Sequence, residues 1–162
     1  MNAERLERLK KRYGWDEWGE APAGKEETPP LAARVDEGLL PGWRLQRTDP
    51  LSGEGLPDGI RTLWMRDKGV ALSVEIWQCD SPAAARELLL QVLERFESPR
   101  VERAQGAAAI GEVAFVHGEQ TLLFARRNLV VLVRNAGPRI VPALDAARTL
   151  DDGLRRQELL PR

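Results

Sequence analysis

An apolar segment at residues 121–134 reads TLLFARRNLVVLVR. Its two apolar runs flank Arg126, Arg127 and Asn128, which predict a three-residue hairpin turn with Asn128 in the left-handed conformation. Because side chains alternate along a strand, such a hairpin carries apolar side chains on both faces. The predicted faces are Leu123, Val131 and Val133 on one side, and Leu122, Phe124, Val130 and Leu132 on the other.

A sheet covered by helices on one side only leaves the second apolar face uncovered. Three elements could cover this second face: the segment that bears Trp15, Trp18 and Trp43, a second copy of the chain, or another protein. An apolar patch of that size, left uncovered, marks a binding surface. The sequence therefore predicts a partner-binding surface made of Trp15, Trp18, Leu122, Phe124, Val130 and Leu132.

A second hairpin precedes this one, with strands predicted at 60–66 and 70–79. The linking Asp67-Lys68-Gly69 suits a three-residue loop with Gly69 left-handed, which pairs Arg66 with Val70. That register predicts a core face of Ile60, Thr62, Trp64, Val70, Leu72, Val74 and Ile76. The opposite face is mixed and carries Arg61, Leu63, Met65, Ser73, Glu75 and Trp77.

Each hairpin is followed by a predicted helix. Ser81 and Pro82 start the first, which runs to about residue 97, and the second begins near Ile140 or Pro142 and buries Ile140. The hairpins align at an offset of 59 residues, with Thr62 on Thr121. This internal repeat predicts an α+β fold: an antiparallel sheet of five to six strands, built from two β-β-α units, with both helices on one face.

The predicted domain division places an N-terminal arm at 1–38, a single α+β domain at 39–157 and a tail at 158–162. The arm begins with a helix at 2–13 that Asn2 caps. A linker rich in Gly, Pro and Glu follows and contains Trp15 and Trp18. Tryptophans are costly to leave in water, so they are expected to dock on the domain or on a partner.

Composition excludes several classes of protein. The chain has 162 residues, 43% of them apolar, and a formal net charge of -1, which fits one globular domain and argues against a nucleic-acid binder. Its longest aliphatic run, 129–133, is far shorter than the roughly 20 residues of a membrane span. The charged amino terminus and the lone Cys79 predict a cytoplasmic location.

Two residues are candidates for chemistry. Cys79 directly precedes a predicted helix, whose dipole lowers the pKa of a thiol, and His117 is the single histidine and the candidate base. Their surroundings are more typical of a structural cysteine and a turn histidine, so no catalytic residue is predicted. With no His pair and no second cysteine, the sequence also predicts no metal and no cofactor.

The stretch from Ile110-Gly111-Glu112 to residues 124–131, FARRNLVV, together with the helix after it, resembles small bacterial α+β domains of the PsbP/Mog1-like sandwich type. The resemblance implies a binding or accessory role and brings no catalytic positions. The leading hypothesis is a non-catalytic cytoplasmic accessory domain that binds protein through the apolar sheet face and the arm. The alternatives are a small hydrolase or ligand-binding enzyme that uses Cys79 or His117, and a self-assembling structural subunit.

Overall fold

The fold is α+β, and one antiparallel sheet is its centre. The computed structural model describes residues 2–23, 29–96 and 98–158. These residues form four α-helices and a seven-stranded sheet of order β1-β2-β3-β7-β6-β5-β4. The helices are α1 (Ala3–Arg12), α2 (Leu31–Arg34), α3 (Pro82–Glu94) and α4 (Ala143–Glu158). The strands are β1 (Arg44–Leu51), β2 (Asp58–Met65), β3 (Ala71–Gln78), β4 (Val101–Arg103), β5 (Val113–His117), β6 (Thr121–Arg126) and β7 (Leu129–Asn135).

The first hairpin, β2–β3, has the predicted register. The Arg66 amide donates to the Val70 carbonyl at 3.3 Å, and Gly69 has a φ of +80°. The one polar side chain of the core face is satisfied, since the Thr62 hydroxyl accepts from Trp64 Nε1 at 2.7 Å and donates to the Val74 carbonyl at 3.0 Å. The predicted core face is therefore buried as a unit.

The second hairpin, β6–β7, differs from prediction in its turn. Arg126 pairs with Leu129, so the turn has two residues, and Arg127 rather than Asn128 has positive φ, at +50°. Asn128 is engaged elsewhere: its side chain donates to the Cys79 carbonyl at 3.0 Å, and its own carbonyl accepts from the Cys79 amide at 2.8 Å. A turn one residue shorter shifts the pairing by one. The observed faces are Leu122, Phe124, Val131 and Val133 on one side and Leu123, Val130 and Leu132 on the other.

The prediction that both helices lie on one face is wrong. Helix α4 packs with Phe124 and Val131, whereas α3 packs with Leu123 and Val130 on the opposite face. The reason is the double-sided hairpin: each buried Leu, Val or Phe contributes about 1.5–3 kcal/mol, and two helices on one face leave the other face in water. The sheet is thus a central layer between α3 and α4.

Two smaller predictions also fail. The sheet has seven strands rather than five to six, because Val101–Arg103 pairs with β5 as a short edge strand. Three residues are too few to show a strand periodicity in sequence. Ile140 is 57% exposed rather than buried, because α4 begins only at Ala143 and Ile140 precedes it.

The N-terminal arm docks on its own domain. Asn2 caps α1 as predicted, accepting from the Arg5 amide at 2.7 Å. The Tyr13 and Trp18 rings both approach Phe115 edge-on, with centroids 5.8 and 5.6 Å away. Farther along, Leu31 joins the core on the α4 side. The middle of the predicted linker, 24–28, and residues 159–162 of the predicted tail lie outside the described residues.

The proposed internal repeat finds no support in these elements. The first hairpin has a three-residue loop and the second a two-residue turn. The helices that follow them pack on opposite faces, whereas a repeated unit would place them alike relative to its own strands.

A buried ion pair joins α4 to the second hairpin. Asp151 accepts from the Arg126 guanidinium, with Nη2 to Oδ2 at 3.0 Å, and from the Gly111 amide, also at 3.0 Å. The hydrogen bond to Asp151 raises the pKa of Arg126, and burial of the guanidinium opposes that rise. Gly111 has a φ of +63°, and a Cβ there would overlap the Ala125 carbonyl oxygen.

Gly111→Ala is therefore expected to destabilise the fold more than Gly106→Ala. Gly106 has the same φ of +63°, but a Cβ there meets nothing within 4 Å. The left-handed conformation costs about 1 kcal/mol in either variant, and overlap adds roughly 1–3 kcal/mol at Gly111 alone. Urea unfolding of both variants measures the difference, and equal stabilities would contradict the close approach.

Candidate functional site

The predicted partner-binding residues are covered by the chain itself. Leu122, Phe124, Val130 and Leu132 are buried between α3 and α4, and Trp18 is buried against Phe115. Trp15 is half-buried, with its ring 5.0 Å from that of Trp18 and the Lys10 ammonium 4.7 Å above it. The apolar hairpin is thus enclosed on both faces. The enclosing elements belong to this chain, so its two apolar faces need no partner.

Cys79 and His117 do not form a pair. Cys79 bonds to Asn128, just before β7 begins, whereas His117 lies in the row that contains Thr121 and Arg134 near the other end of the same strand. Six residues of strand separate these levels, which is about 20 Å. His117 Nε2 lies instead 3.1 Å from Ser98 Oγ.

Cys79 is not an activated thiol. Burial, and to a lesser degree the charge of Asp80, raises the pKa of Cys79 to about 12. The thiol adjoins a groove of about 350 Å³ between the 55–57 loop and the outer side of α3, whose walls include Asp80 and Glu87. Carboxylates beside a buried, protonated thiol do not supply a nucleophile at neutral pH.

The described residues contain no cluster of three or more His, Cys, Asp or Glu side chains placed to hold a metal ion. Within the same ranges, none of the helices combines the length and apolar character of a membrane span.

One part of the sheet surface is not covered by a helix in the described chain. Helix α3 packs on β6 and β7, and Arg47, Arg61 and Arg134, whose side chains are 71%, 52% and 44% exposed, lie on the same side of the sheet beyond it. Cross-strand pairing brings residues of four strands, β1, β2, β3 and β7, together in this region. We call it the open face; it comprises Arg47, Asp49, Arg61, Leu63, Met65, Ser73, Glu75 and Arg134.

A carboxylate between two arginines forms the middle of the open face. Oε1 of Glu75 accepts from Arg61, at 3.0 Å from Nε and 2.9 Å from Nη2, and from Arg134 Nη2 at 3.0 Å. The Glu75 side chain is only 6% exposed, so the two guanidinium groups cover it. These charge-assisted hydrogen bonds fix the positions of the side chains. They contribute little to the free energy of unfolding, because about half of each arginine side chain is exposed to water.

The outer margin of the open face combines charge with apolar surface. Arg47 pairs with Asp49 at 2.6 Å, and Leu63 and Met65 lie half-buried beside them. The eight residues carry three positive and two negative charges. A surface with this charge and these apolar side chains is complementary to a mildly acidic surface with some apolar character.

Sequence reasoning recognised only part of the open face. The mixed face of the first hairpin contains Arg61, Leu63, Met65, Ser73 and Glu75, and this mixture was the available signal. Arg134 joins them only because β7 pairs with β3, and Arg47 only because β1 pairs with β2. Those two pairings bring together residues from positions 47 to 134.

Comparison of the chain with protein families, with characterised proteins and with solved structures gave no match.

Cys79 is expected to react slowly with Ellman's reagent at pH 8. With its pKa raised to about 12, the thiolate fraction is small, and the rate should be at least about a hundredfold below that of free cysteine. The same protein in concentrated urea is the control and should react at the ordinary rate. A native rate near that of free cysteine would contradict the buried, protonated thiol.

The raised pKa of Cys79 also predicts a pH dependence of stability. The native state keeps the proton that the unfolded state loses above about 9, so this contribution is complete below pH 9 and is lost as the pH rises toward 12. Between these values, wild type should lose about 1 kcal/mol per pH unit relative to Cys79→Ser, in which the residue does not titrate there. Urea unfolding of both proteins at pH 8, 9.5 and 10.5 measures this, and parallel profiles would contradict it.

Proposed function

We propose that this chain is a non-catalytic accessory domain that binds a protein partner through the open face. The observation that carries the proposal is the uneven cover of the sheet: helices and the N-terminal arm enclose the β6–β7 hairpin, whereas Arg47, Arg61 and Arg134 remain solvent-exposed on one side. The sequence resemblance to PsbP/Mog1-like domains implies the same kind of accessory role.

The composition of the open face supports a protein as the partner. Arginine and methionine are enriched in protein interfaces, and both occur here next to Leu63. The Arg61–Glu75–Arg134 contacts hold two guanidinium groups in fixed positions before a partner arrives. Fixed side chains lower the entropic cost of association, so a small surface can still be selective.

The proposed binding surface differs from the one predicted on the β6–β7 hairpin and the arm. Leu122, Phe124, Val130 and Leu132 contribute to the core, and the arm with Trp15 and Trp18 packs against it. A cytoplasmic location belongs to the same proposal. A second copy of this chain is the alternative partner, and light scattering of the purified protein separates the two: a monomer favours a different protein.

An enzyme that uses Cys79 or His117 is less well supported. The two side chains lie near opposite ends of β7, and the raised pKa of Cys79 removes the thiolate that a nucleophile requires. Neither residue belongs to the open face.

Met65→Asp and Arg47→Glu are each expected to weaken partner capture at least about tenfold, because an interface loses apolar contact in one variant and a positive charge in the other. The measurement is affinity capture from a lysate of the source organism, with cross-linking and mass spectrometry to locate the contact. Both side chains are at least partly exposed, so the variants should keep the unfolding midpoint of wild type within a few degrees.

Arg155→Glu is the matched control, since it makes the same change of charge on the exposed side of α4. It should capture the same partner as wild type. Equal capture by Met65→Asp and Arg47→Glu, or cross-links that fall outside the open face, would contradict the proposal.

A further inference from the structure

Arg86 is a buried arginine on the side of α3 that packs under the N-terminal arm. It is 4% exposed, and its Nη1 donates to the Gly19 carbonyl at 2.7 Å and lies 3.5 Å from the Trp18 carbonyl. Its Nε is also buried and has no acceptor among the described residues. An unsatisfied donor on a charged group is costly to bury, so this position calls for an acceptor.

Arg103 repeats the same feature on the neighbouring edge strand. It lies on β4 opposite Phe115, and its Nε is buried without an acceptor in the described part of the chain. The residue as a whole is only half-buried, so solvent reaches part of its guanidinium group. Neither Arg103 nor Arg86 has a carboxylate of the described residues within 4.0 Å.

Both arginines flank one aromatic contact. The Phe115 ring, next to Arg103 in register, lies 5.6 Å from the Trp18 ring, and Arg86 holds the Trp18–Gly19 backbone. The positive charges of the two arginines repel each other. Burial is the main cause that lowers the pKa of the Arg86 guanidinium, and the charge of Arg103 lowers this pKa further.

Among the described residues, the carboxylate that opposes this effect on Arg86 is that of Glu112, which already has other partners. Its Oε1 accepts from the Arg127 amide at 2.7 Å, and its Oε2 lies 3.7 Å from Arg126 Nη1. Within the described parts of the chain, neither Arg86 nor Arg103 therefore has a carboxylate of its own, and the positive charge of Arg103 acts unfavourably on Arg86.

We propose that Arg86 and Arg103 form a binding site for a phosphate-class oxyanion at the α3–β4 edge. A guanidinium group matches such an oxyanion with two parallel N–H donors, and two of them supply both the charge and the geometry. The oxyanion enters along the exposed part of Arg103. This site is separate from the open face, which lies beyond α3 on β1, β2, β3 and β7, and it does not depend on the proposed partner.

The test is titration of the full chain with inorganic phosphate at constant ionic strength, followed by calorimetry and by the unfolding midpoint. Wild type should bind saturably, and its midpoint should rise with phosphate concentration as a ligand of the native state requires. Arg103→Gln should weaken the apparent affinity about tenfold or more, since it removes a charge-assisted contact. Arg103→Lys keeps the charge but loses the paired donors, and it should fall between the two.

Arg100→Gln is the matched control, because Arg100 is exposed in the loop just before β4, and it should bind phosphate like wild type. Acetate at the same concentration should bind more weakly, as it carries less charge. No saturable binding of phosphate, an equal affinity in Arg103→Gln, or binding of acetate as tight as that of phosphate would overturn the proposal.

Discussion

The enclosure of the β6–β7 hairpin on both faces is the constraint from which the architecture follows. Leu122 and Phe124 require cover on one side, and Leu123 and Val130 require it on the other. One helix cannot cover both faces of a sheet, so α3 covers one face and α4 covers the other. The hairpin therefore lies in the middle layer of the fold. At about 1.5–3 kcal/mol for each large side chain, this burial outweighs an exposed ion pair, which contributes at most about 1 kcal/mol.

Charged side chains lie on the part of the sheet that the helices and the N-terminal arm do not cover. Helix α3 and the N-terminal arm occupy the half of one face that is apolar, and the remaining half carries Arg61, Glu75 and Arg134. Edge strand β1 is protected against pairing with other chains. Arg44 and Arg47 place charged side chains along this edge, which otherwise offers free backbone hydrogen-bonding groups. The open face is thus a consequence of a sheet wider than the helix beside it.

Four charged groups of the described residues differ in how their burial is compensated. Asp151 and Glu75 each accept from arginines, and their burial is compensated within the fold. Arg86 and Arg103 retain buried donors without acceptors. Buried donors without acceptors are rare in folded proteins, so these two nitrogens support the proposed anion site at the α3–β4 edge.

The sequence by itself determined the local structure: the Gly69 loop and its register, the Asn2 and Ser81 helix caps, and the apolar character of both hairpin faces. These depend on residues a few positions apart, whose preferences are set by backbone sterics and alternation. Tertiary structure alone decided the Arg127–Asn128 turn, where a contact with Cys79 overrode the local preference of asparagine. It also placed α3 and α4 on opposite faces and assembled the open face, because strand pairing between distant segments determines which side chains become neighbours.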